Sequence, residues 1–156
     1  MLFRSGIYYG HRSTILGARP RNAIFSVDGR RAYVTAENGG TVTIVDTRNH
    51  TVIGTIKLSV AQAKPMGIAM SRNGTRIYVS NGRGNSVSVI DAGTNKQIAI
   101  IPVYSRPWGI ALTSDGRKLY TANGLSDDVA VIDTRTNRVI ATIRAGVGPW
   151  GIAISQ

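Results

Sequence analysis

The sequence has no cysteine and only two histidines, His11 and His50, among its 156 residues. Disulfide bonds and thiolate metal sites are therefore excluded, although this absence does not identify the compartment. The two histidines lie far apart in the sequence, so neither a metal site nor a cofactor is predicted. No apolar run approaches the roughly 18 residues that a membrane-spanning helix needs.

Acidic residues are also scarce, with 8 Asp and Glu against 19 Lys and Arg, which gives a formal net charge of +11. Most of the basic residues fall in predicted turns spread along the chain, such as Arg30-Arg31 and Arg117-Lys118. A nucleic-acid interface typically gathers basic residues in a stripe with exposed aromatic residues between them. The distribution therefore disfavours nucleic-acid binding and indicates a solvated basic surface that can attract anionic lipid, polysaccharide or an acidic partner.

The sequence does contain a motif that is repeated at a fixed interval. "KPMGIAMSRNGTRIYVSNG" starts at residue 64, "RPWGIALTSDGRKLYTANG" at residue 106 and "GPWGIAIS" at residue 148, so their prolines lie 42 residues apart. An earlier unit, aligned on Pro20, is three residues longer, and its extra residues fall in the connection "KLSVAQAK". A repeat of about 40 to 45 residues is a structural unit that buries its apolar faces only against its neighbours.

Within each unit the pattern is that of short strands. "VTIVD", "VSVID" and "VAVID" begin with period-two alternation and then add another apolar residue, so both faces of this strand are expected to be covered. Asp28-Gly29, Asn73-Gly74 and Asp115-Gly116 predict two-residue hairpin turns with positive φ at both central residues. Turns after Asp46, Asp91 and Asp133 complete four strands per unit. In the second unit we predict them at residues 66–71, 75–81, 86–92 and 96–103.

Four antiparallel strands repeated at this period, with no helical pattern, indicate an all-β fold of β-propeller blades. The predicted full blades are residues 20–64, 65–106 and 107–148, with the innermost strand of a following blade at 149–156. Segments 66–71 and 108–113 are expected to be innermost in their blades. Residues 1–19 are interpreted as a non-native N-terminus, with "LFRS" at residues 2–5, followed by the last strand of a preceding blade, at 7–16.

The match becomes specific at the residue level. Tyr33-Val-Thr-Ala36, Tyr78-Val-Ser-Asn81 and Tyr120-Thr-Ala-Asn123, followed by strands such as "VSVID" and "RVIATI", resemble the YVTN family of β-propeller repeats over residues 20–156. The first unit departs from the pattern, because Asn22 replaces the glycine of "WGIA" and Ala36 the asparagine of "YVTN".

The resemblance implies closure as seven blades and an exported protein, either periplasmic, cell-surface or extracellular. Seven blades at this period need nearly twice the present length, so the chain is expected to be a fragment of a longer reading frame. The lack of a signal peptide then says nothing about export.

The loop geometry of such a blade predicts a binding face. The connections from the fourth strand to the next blade's first strand, and from the second strand to the third, open on the same side. In related propellers that face, at the mouth of the central channel, often binds ligands. Eight candidate ligand-binding residues fall there: Asn81, Arg83, Arg106, Trp108, Asn123, Asp127, Asp128 and Trp150.

The eight candidates differ in whether the structure of the blade itself could account for them. Arg83, Arg106, Asp127 and Asp128 differ between units, so the blade itself is not expected to require them. Trp108 and Trp150 could instead pack between blades, with the glycine after each tryptophan allowing close approach at the axis.

Catalytic residues are not predicted. The serines lack a histidine at a position consistent with the repeat, "NGRGN" lacks the strand-to-helix context of a phosphate loop, and Asp127-Asp128 can be a solvated loop. The sequence therefore favours a non-catalytic binding or scaffold module for an unknown protein, glycan or small molecule. The alternative is a propeller enzyme, lactonase-like or a quinoprotein-linked oxidoreductase, with catalytic residues partly in missing blades. Open blade edges also predict self-association.

Overall fold

The computed structural model describes residues 16–155, and every regular element within them is a β-strand. The predicted strand at 7–16 lies outside the described residues except for its last residue. The strands are β1 (Pro20–Phe25), β2 (Arg31–Ala36), β3 (Thr41–Asp46), β4 (Thr51–Lys57), β5 (Pro65–Met70), β6 (Arg76–Asn81), β7 (Ser86–Asp91), β8 (Lys96–Pro102), β9 (Pro107–Leu112), β10 (Lys118–Asn123), β11 (Asp128–Asp133) and β12 (Arg138–Arg144).

The strands form three antiparallel four-stranded sheets, each built from consecutive strands: β1 to β4, β5 to β8 and β9 to β12. The predicted all-β fold of four-stranded blades is therefore confirmed. In the second unit the predicted strand boundaries differ from the observed ones by at most one residue. The first strands lie innermost, because β5 contacts both β1 and β9. The three extra residues of the first unit lie in the connection 58–64 between β4 and β5. The equivalent connection after the second sheet, 103–106, is shorter.

The core lies between neighbouring sheets rather than within one sheet. Tyr33 and Ile44 of the first sheet pack with Ile77 and Val79 of the second in one buried cluster. The second cluster joins Val87 and other residues of the second sheet to the third sheet through two fully buried side chains, Leu119 and Ile132. Each blade thus buries its apolar faces against its neighbours, which is the physical reason for the repeat.

The inner strands approach one another closely because of the glycines in "MGIA" and "WGIA". A Cβ atom at Gly67 would lie 2.6 Å from the carbonyl oxygen of Trp108 in the next blade. The same approach lets Ser80 Oγ donate a hydrogen bond to the Trp108 carbonyl oxygen at 2.8 Å. Thr35 Oγ1 makes the matching bond to the Met66 carbonyl oxygen, also at 2.8 Å. A side chain at Gly67 or Gly109 would separate adjacent inner strands at the axis.

The turns between the first and second strands differ from the prediction. Five residues, 26–30, separate β1 from β2, and of the Asp28-Gly29 pair only the glycine has positive φ, at 69°. The Gly29 N–H donates to the Ser26 carbonyl oxygen at 2.8 Å, and the Ser26 hydroxyl donates to Asp28 Oδ1 at 2.6 Å. The prediction of a two-residue turn with two positive φ angles was wrong, because the aspartate serves as a side-chain acceptor in ordinary backbone conformation.

Candidate functional site

A cavity of about 260 Å³ opens on the face where the two predicted sets of loops meet. We call it the mouth pocket. A second cavity of about 240 Å³ runs beside it along the inner strands. Four of the eight predicted site residues line the mouth pocket. Its lining residues are Arg19, Arg21, Glu37, Asn38, Lys64, Met66, Gly82, Arg83, Arg106, Trp108 and Trp150.

Most of this lining comes from the two residues that flank the repeated proline in each unit. The residues before the proline are Arg19, Lys64 and Arg106, and Gly148 occupies the same position in the last unit. The residues after the proline are Arg21, Met66, Trp108 and Trp150. Sequence reasoning missed the contributions of the first blade and of Lys64. The alignment on the prolines contains the signal for them, because the residue before the proline is basic in three of four units.

The four pre-proline residues share one backbone conformation. Their φ angles are 60° at Arg19, 46° at Lys64, 59° at Arg106 and 63° at Gly148. The carbonyl oxygen of each basic residue accepts a hydrogen bond from a backbone N–H just after the second strand of the same sheet. These bonds are Glu37 N to Arg19 O at 2.9 Å, Gly82 N to Lys64 O at 3.0 Å and Gly124 N to Arg106 O at 3.0 Å. The blade therefore places each basic side chain from an equivalent, hydrogen-bonded backbone.

Asp127 acts on this backbone and does not line the mouth pocket. Its Oδ1 accepts the Gly148 N–H at 2.8 Å, just as Asn85 Oδ1 accepts the Arg106 N–H at 3.0 Å one blade earlier. Asn85 and Asp127 thus play the same part in successive blades. The structure gives Asp127 a positioning role for the pre-proline residue.

Asn81, Asn123 and Asp128 are buried within their blades and do not line the mouth pocket. Asn123 Nδ2 donates to Asp128 Oδ1 at 2.6 Å, across the turn between β10 and β11. Asn81 Nδ2 makes the equivalent bond to Ser86 Oγ at 3.0 Å. The aspartate of one blade and the serine of the other are therefore acceptors for the same asparagine position.

The two tryptophans contact each other and also line the pocket. Their ring centroids lie 4.3 Å apart with an interplanar angle of 44°. The Trp108 ring covers Gly124, where a Cβ atom would overlap it. The Arg106 guanidinium lies 6.0 Å from the centroid of the Trp108 ring, at the limit of a cation–π contact. Packing between blades and lining the pocket are thus two roles of the same side chains.

The electrostatics of the mouth pocket favour an anion. Five basic side chains and a single carboxylate, Glu37, line it. Glu37 Oε2 lies 3.2 Å from Arg19 Nε and 3.4 Å from Arg21 Nε, so the first blade supplies its own counter-charge. Within residues 16–155, no carboxylate lies at ion-pair distance from Lys64, Arg83 or Arg106. A concave site of one sign concentrates ligands of the opposite charge.

The described part of the chain contains no group of three His, Cys, Asp or Glu side chains placed to hold a metal ion. Across residues 16–155, no helix is both long and apolar enough to cross a membrane.

A model of the family described as "Lactonase, 7-bladed beta-propeller" matches residues 10–144. The chain belongs to this lactonase family of seven-bladed β-propellers. The propeller implied by the YVTN-like repeats is therefore supported at the level of the lactonase family. No curated protein sequence is significantly similar to the chain.

Solved structures resemble this lactonase-family chain over most of its length. Hydrazine synthase from Kuenenia stuttgartiensis is 29% identical with a TM-score of 0.82, over 96% of this chain and 43% of that chain. A candidate 6-phosphogluconolactonase from Bacteroides fragilis is 23% identical with a TM-score of 0.78, over 88% and 42% of the two chains. A functionally unknown protein from Desulfotomaculum acetoxidans is 24% identical with a TM-score of 0.74, over 90% and 47%.

The lactonase-family chain spans less than half the length of each of these structures. The second and third likenesses, at under 25% identity, show the fold alone.

Proposed function

We propose that the chain is part of a lactone-hydrolysing propeller in which the mouth pocket binds an anionic substrate. The observation that carries the proposal is the set of five basic side chains around one cavity on a lactonase-family frame. The cavity, of about 260 Å³, is close to the lower end of the roughly 300 to 1,000 Å³ that small-molecule sites occupy. A sugar lactone that carries a phosphate or carboxylate group matches both its size and its charge.

Lactone hydrolysis requires few groups. Water adds to the carbonyl carbon, the carbonyl oxygen becomes an oxyanion, and the ring C–O bond then breaks. The proton lost by the water goes to the ring oxygen, which leaves a hydroxy acid. Arg83 and Arg106 are the two pocket arginines without a carboxylate partner among the described residues, so they are suited to stabilise the oxyanion.

The reaction also needs a group that takes the proton from the attacking water. Glu37 is the one carboxylate among the pocket's lining residues, and it is engaged by Arg19 and Arg21. We therefore propose that a residue outside the described residues 16–155 takes this proton. Export of the protein stays a prediction.

A second candidate function is binding of an anionic protein, glycan or small molecule without catalysis. The engagement of Glu37 by two arginines favours it, because the one carboxylate among the pocket's lining residues is then occupied by Arg19 and Arg21. No observation favours a quinoprotein-linked oxidoreductase over these two functions.

The test uses the longest reading frame that contains these residues. Hydrolysis of 6-phosphogluconolactone and of uncharged gluconolactone is measured by the rate of acid release. We expect faster hydrolysis of the phosphorylated lactone, with at least a tenfold loss in Arg83→Gln and little change in the opposite-face control Arg117→Gln. Tight binding of the phosphorylated compound without turnover would favour the second function. Neither binding nor turnover would contradict both.

A further inference from the structure

We infer that the residue before the proline of each blade's first strand determines ligand specificity, and that Lys64 and Arg106 at this position bind an oxyanion, whereas Arg19 is held by Glu37. The inference deepens the proposed function and rests on its placing of the ligand in the mouth pocket. The ligand group is a carboxylate or a phosphate. Both present oxygen atoms with negative charge, which guanidinium and ammonium groups bind by charge-assisted hydrogen bonds.

Backbone preference does not explain long basic side chains at this position. Positive φ brings Cβ close to a carbonyl oxygen, so glycine adopts it freely and asparagine and aspartate tolerate it best. The chain follows this preference at other repeated positions of positive φ, which hold Asn85 and Asp127 in one turn and Asn95 and Asn137 in another, with His50 as the exception. At the pre-proline position glycine occurs only at Gly148. Strained residues of this kind point to a role outside the blade.

The blade holds the backbone of the pre-proline residue in place but does not determine which side chain the residue carries. The Arg106 carbonyl oxygen accepts the Gly124 N–H at 3.0 Å, and the Arg106 N–H donates to Asn85 Oδ1 at 3.0 Å. Both bonds use backbone atoms of Arg106, so they persist whatever side chain it carries. A change at this position therefore alters the pocket without altering the loop.

Arg106 also has an unused donor. Its Nε atom is buried and has no hydrogen-bond partner within the described residues. A buried donor without an acceptor is costly, and rotation of the Arg106 side chain toward an anion in the pocket would give this donor a partner. Lys64 Nζ donates one of its three hydrogens to Asn38 Oδ1 at 2.9 Å and keeps the others for a ligand, whereas Arg19 is paired with Glu37. The oxyanion is therefore expected on the side of Arg106 and Lys64, away from Glu37.

The test is substitution of Arg106 by glycine in the longest reading frame, with binding of inorganic phosphate and of gluconate measured by calorimetry at constant ionic strength. Arg106→Gly should weaken binding of at least one of the two anions at least tenfold while the melting temperature stays unchanged or rises, because glycine adopts φ of 59° without strain. Arg106→Gln keeps the side-chain stem beside Trp108 and should weaken binding to a similar extent.

Asn137→Gly is the matched control, because Asn137 also has positive φ, at 56°, but lies in a turn on the opposite face. It should leave anion affinity unchanged. Unchanged affinity in both Arg106 variants would overturn the inference, as would an equal loss in the control or a melting temperature several degrees lower with affinity preserved. Binding is measured without turnover, so a protein that binds as expected but hydrolyses no lactone would contradict only the proposed function.

Discussion

At the scale of single residues, the position of Trp108 depends on Gly124. The Trp108 ring lies directly over this glycine, which follows Asn123 at the end of β10. The same ring contacts Trp150 and lines the mouth pocket. The absence of a side chain at Gly124 therefore sets the wall of the candidate site.

Substituting Gly124 by alanine should displace the Trp108 ring, because the added Cβ would overlap it. We expect the free energy of unfolding to fall by about 1 to 3 kcal/mol, as is typical of overpacked sites, together with a change in tryptophan fluorescence. Chemical denaturation checks both. Gly93→Ala is the control, since its Cβ would meet Asp91 Oδ1 at an ordinary 3.4 Å. Equal stability of the two variants would show that Trp108 is not held by this contact.

Four of the eight residues predicted from the sequence line the mouth pocket, and the other four make hydrogen bonds within the blades. Asp127 and Asp128 differ from the residues at the same positions of the previous blade, Asn85 and Ser86, and this difference suggested freedom to bind a ligand. In the structure each exchange replaces one hydrogen-bond acceptor by another for the same partner. The residues at these positions vary between units, but the hydrogen bond they accept is the same in both blades, and this equivalence is not visible in the sequence.

At the scale of secondary-structure elements, side-chain acceptors organise the turns between the first and second strands. Asp115 Oδ1 accepts the Thr113 hydroxyl at 2.6 Å and the Arg117 N–H at 3.0 Å. The Thr113 hydrogen bond, followed by that of the Arg117 N–H, lowers the pKa of the Asp115 carboxyl below its usual value. Asn73 occupies the same place in the second blade and accepts the Ser71 hydroxyl at 2.7 Å without a charge.

Asp115→Asn should reduce the acid sensitivity of the fold while keeping the turn. Because the folded-state pKa lies below the unfolded one, this carboxylate stabilises the fold fully above its usual pKa, and the contribution is lost as pH falls through the lowered value. Urea midpoints measured from about pH 7 to about pH 3 should therefore fall less steeply in Asp115→Asn. The reverse change, Asn73→Asp, should steepen the fall. An unchanged slope in both variants would contradict this account of the turn.

Strands were predictable from the sequence because alternation and the repeat act together, and β5 to β8 begin and end within one residue of their expected positions. The turns were less predictable. Asp-Gly and Asn-Gly are compatible with several turn types, and the serine or threonine two residues earlier decides between them by donating its hydroxyl. That hydrogen bond depends on the three-dimensional turn and is not visible as a pattern.

At the scale of the whole molecule, the third sheet lacks the cover that the other two have. Ile56 of the first sheet is 6% exposed and Ile101 of the second is 1% exposed, whereas Ile143 at the equivalent position of the third is 50% exposed. The difference arises because no further described sheet packs against β12. An apolar surface of this kind promotes association.

The 156-residue chain alone is therefore expected to self-associate despite its charge, and light scattering at increasing concentration should show it. Ile143→Lys should suppress the association, because it places a charge where a neighbouring sheet would pack. Ile98→Lys is the control, since Ile98 on β8 is already 48% exposed within a covered blade. A stable monomer with a cooperative melt in the unmodified chain would contradict the expectation.

The central claim is that position-specific cations bind an anion at the mouth pocket, and paired substitutions test it most directly. In the longest reading frame, affinity for inorganic phosphate and for gluconate is compared between Arg83→Ala with Arg106→Ala, and Arg117→Ala with Arg135→Ala, at several salt concentrations. Removing one partner of a charged contact at a desolvated site costs about 2 to 5 kcal/mol, whereas removing a solvated charge changes mainly the association rate and its salt dependence. We expect a large loss only in the first pair. Equal, salt-sensitive losses in both pairs would mean that diffuse charge binds the anion and would contradict the account.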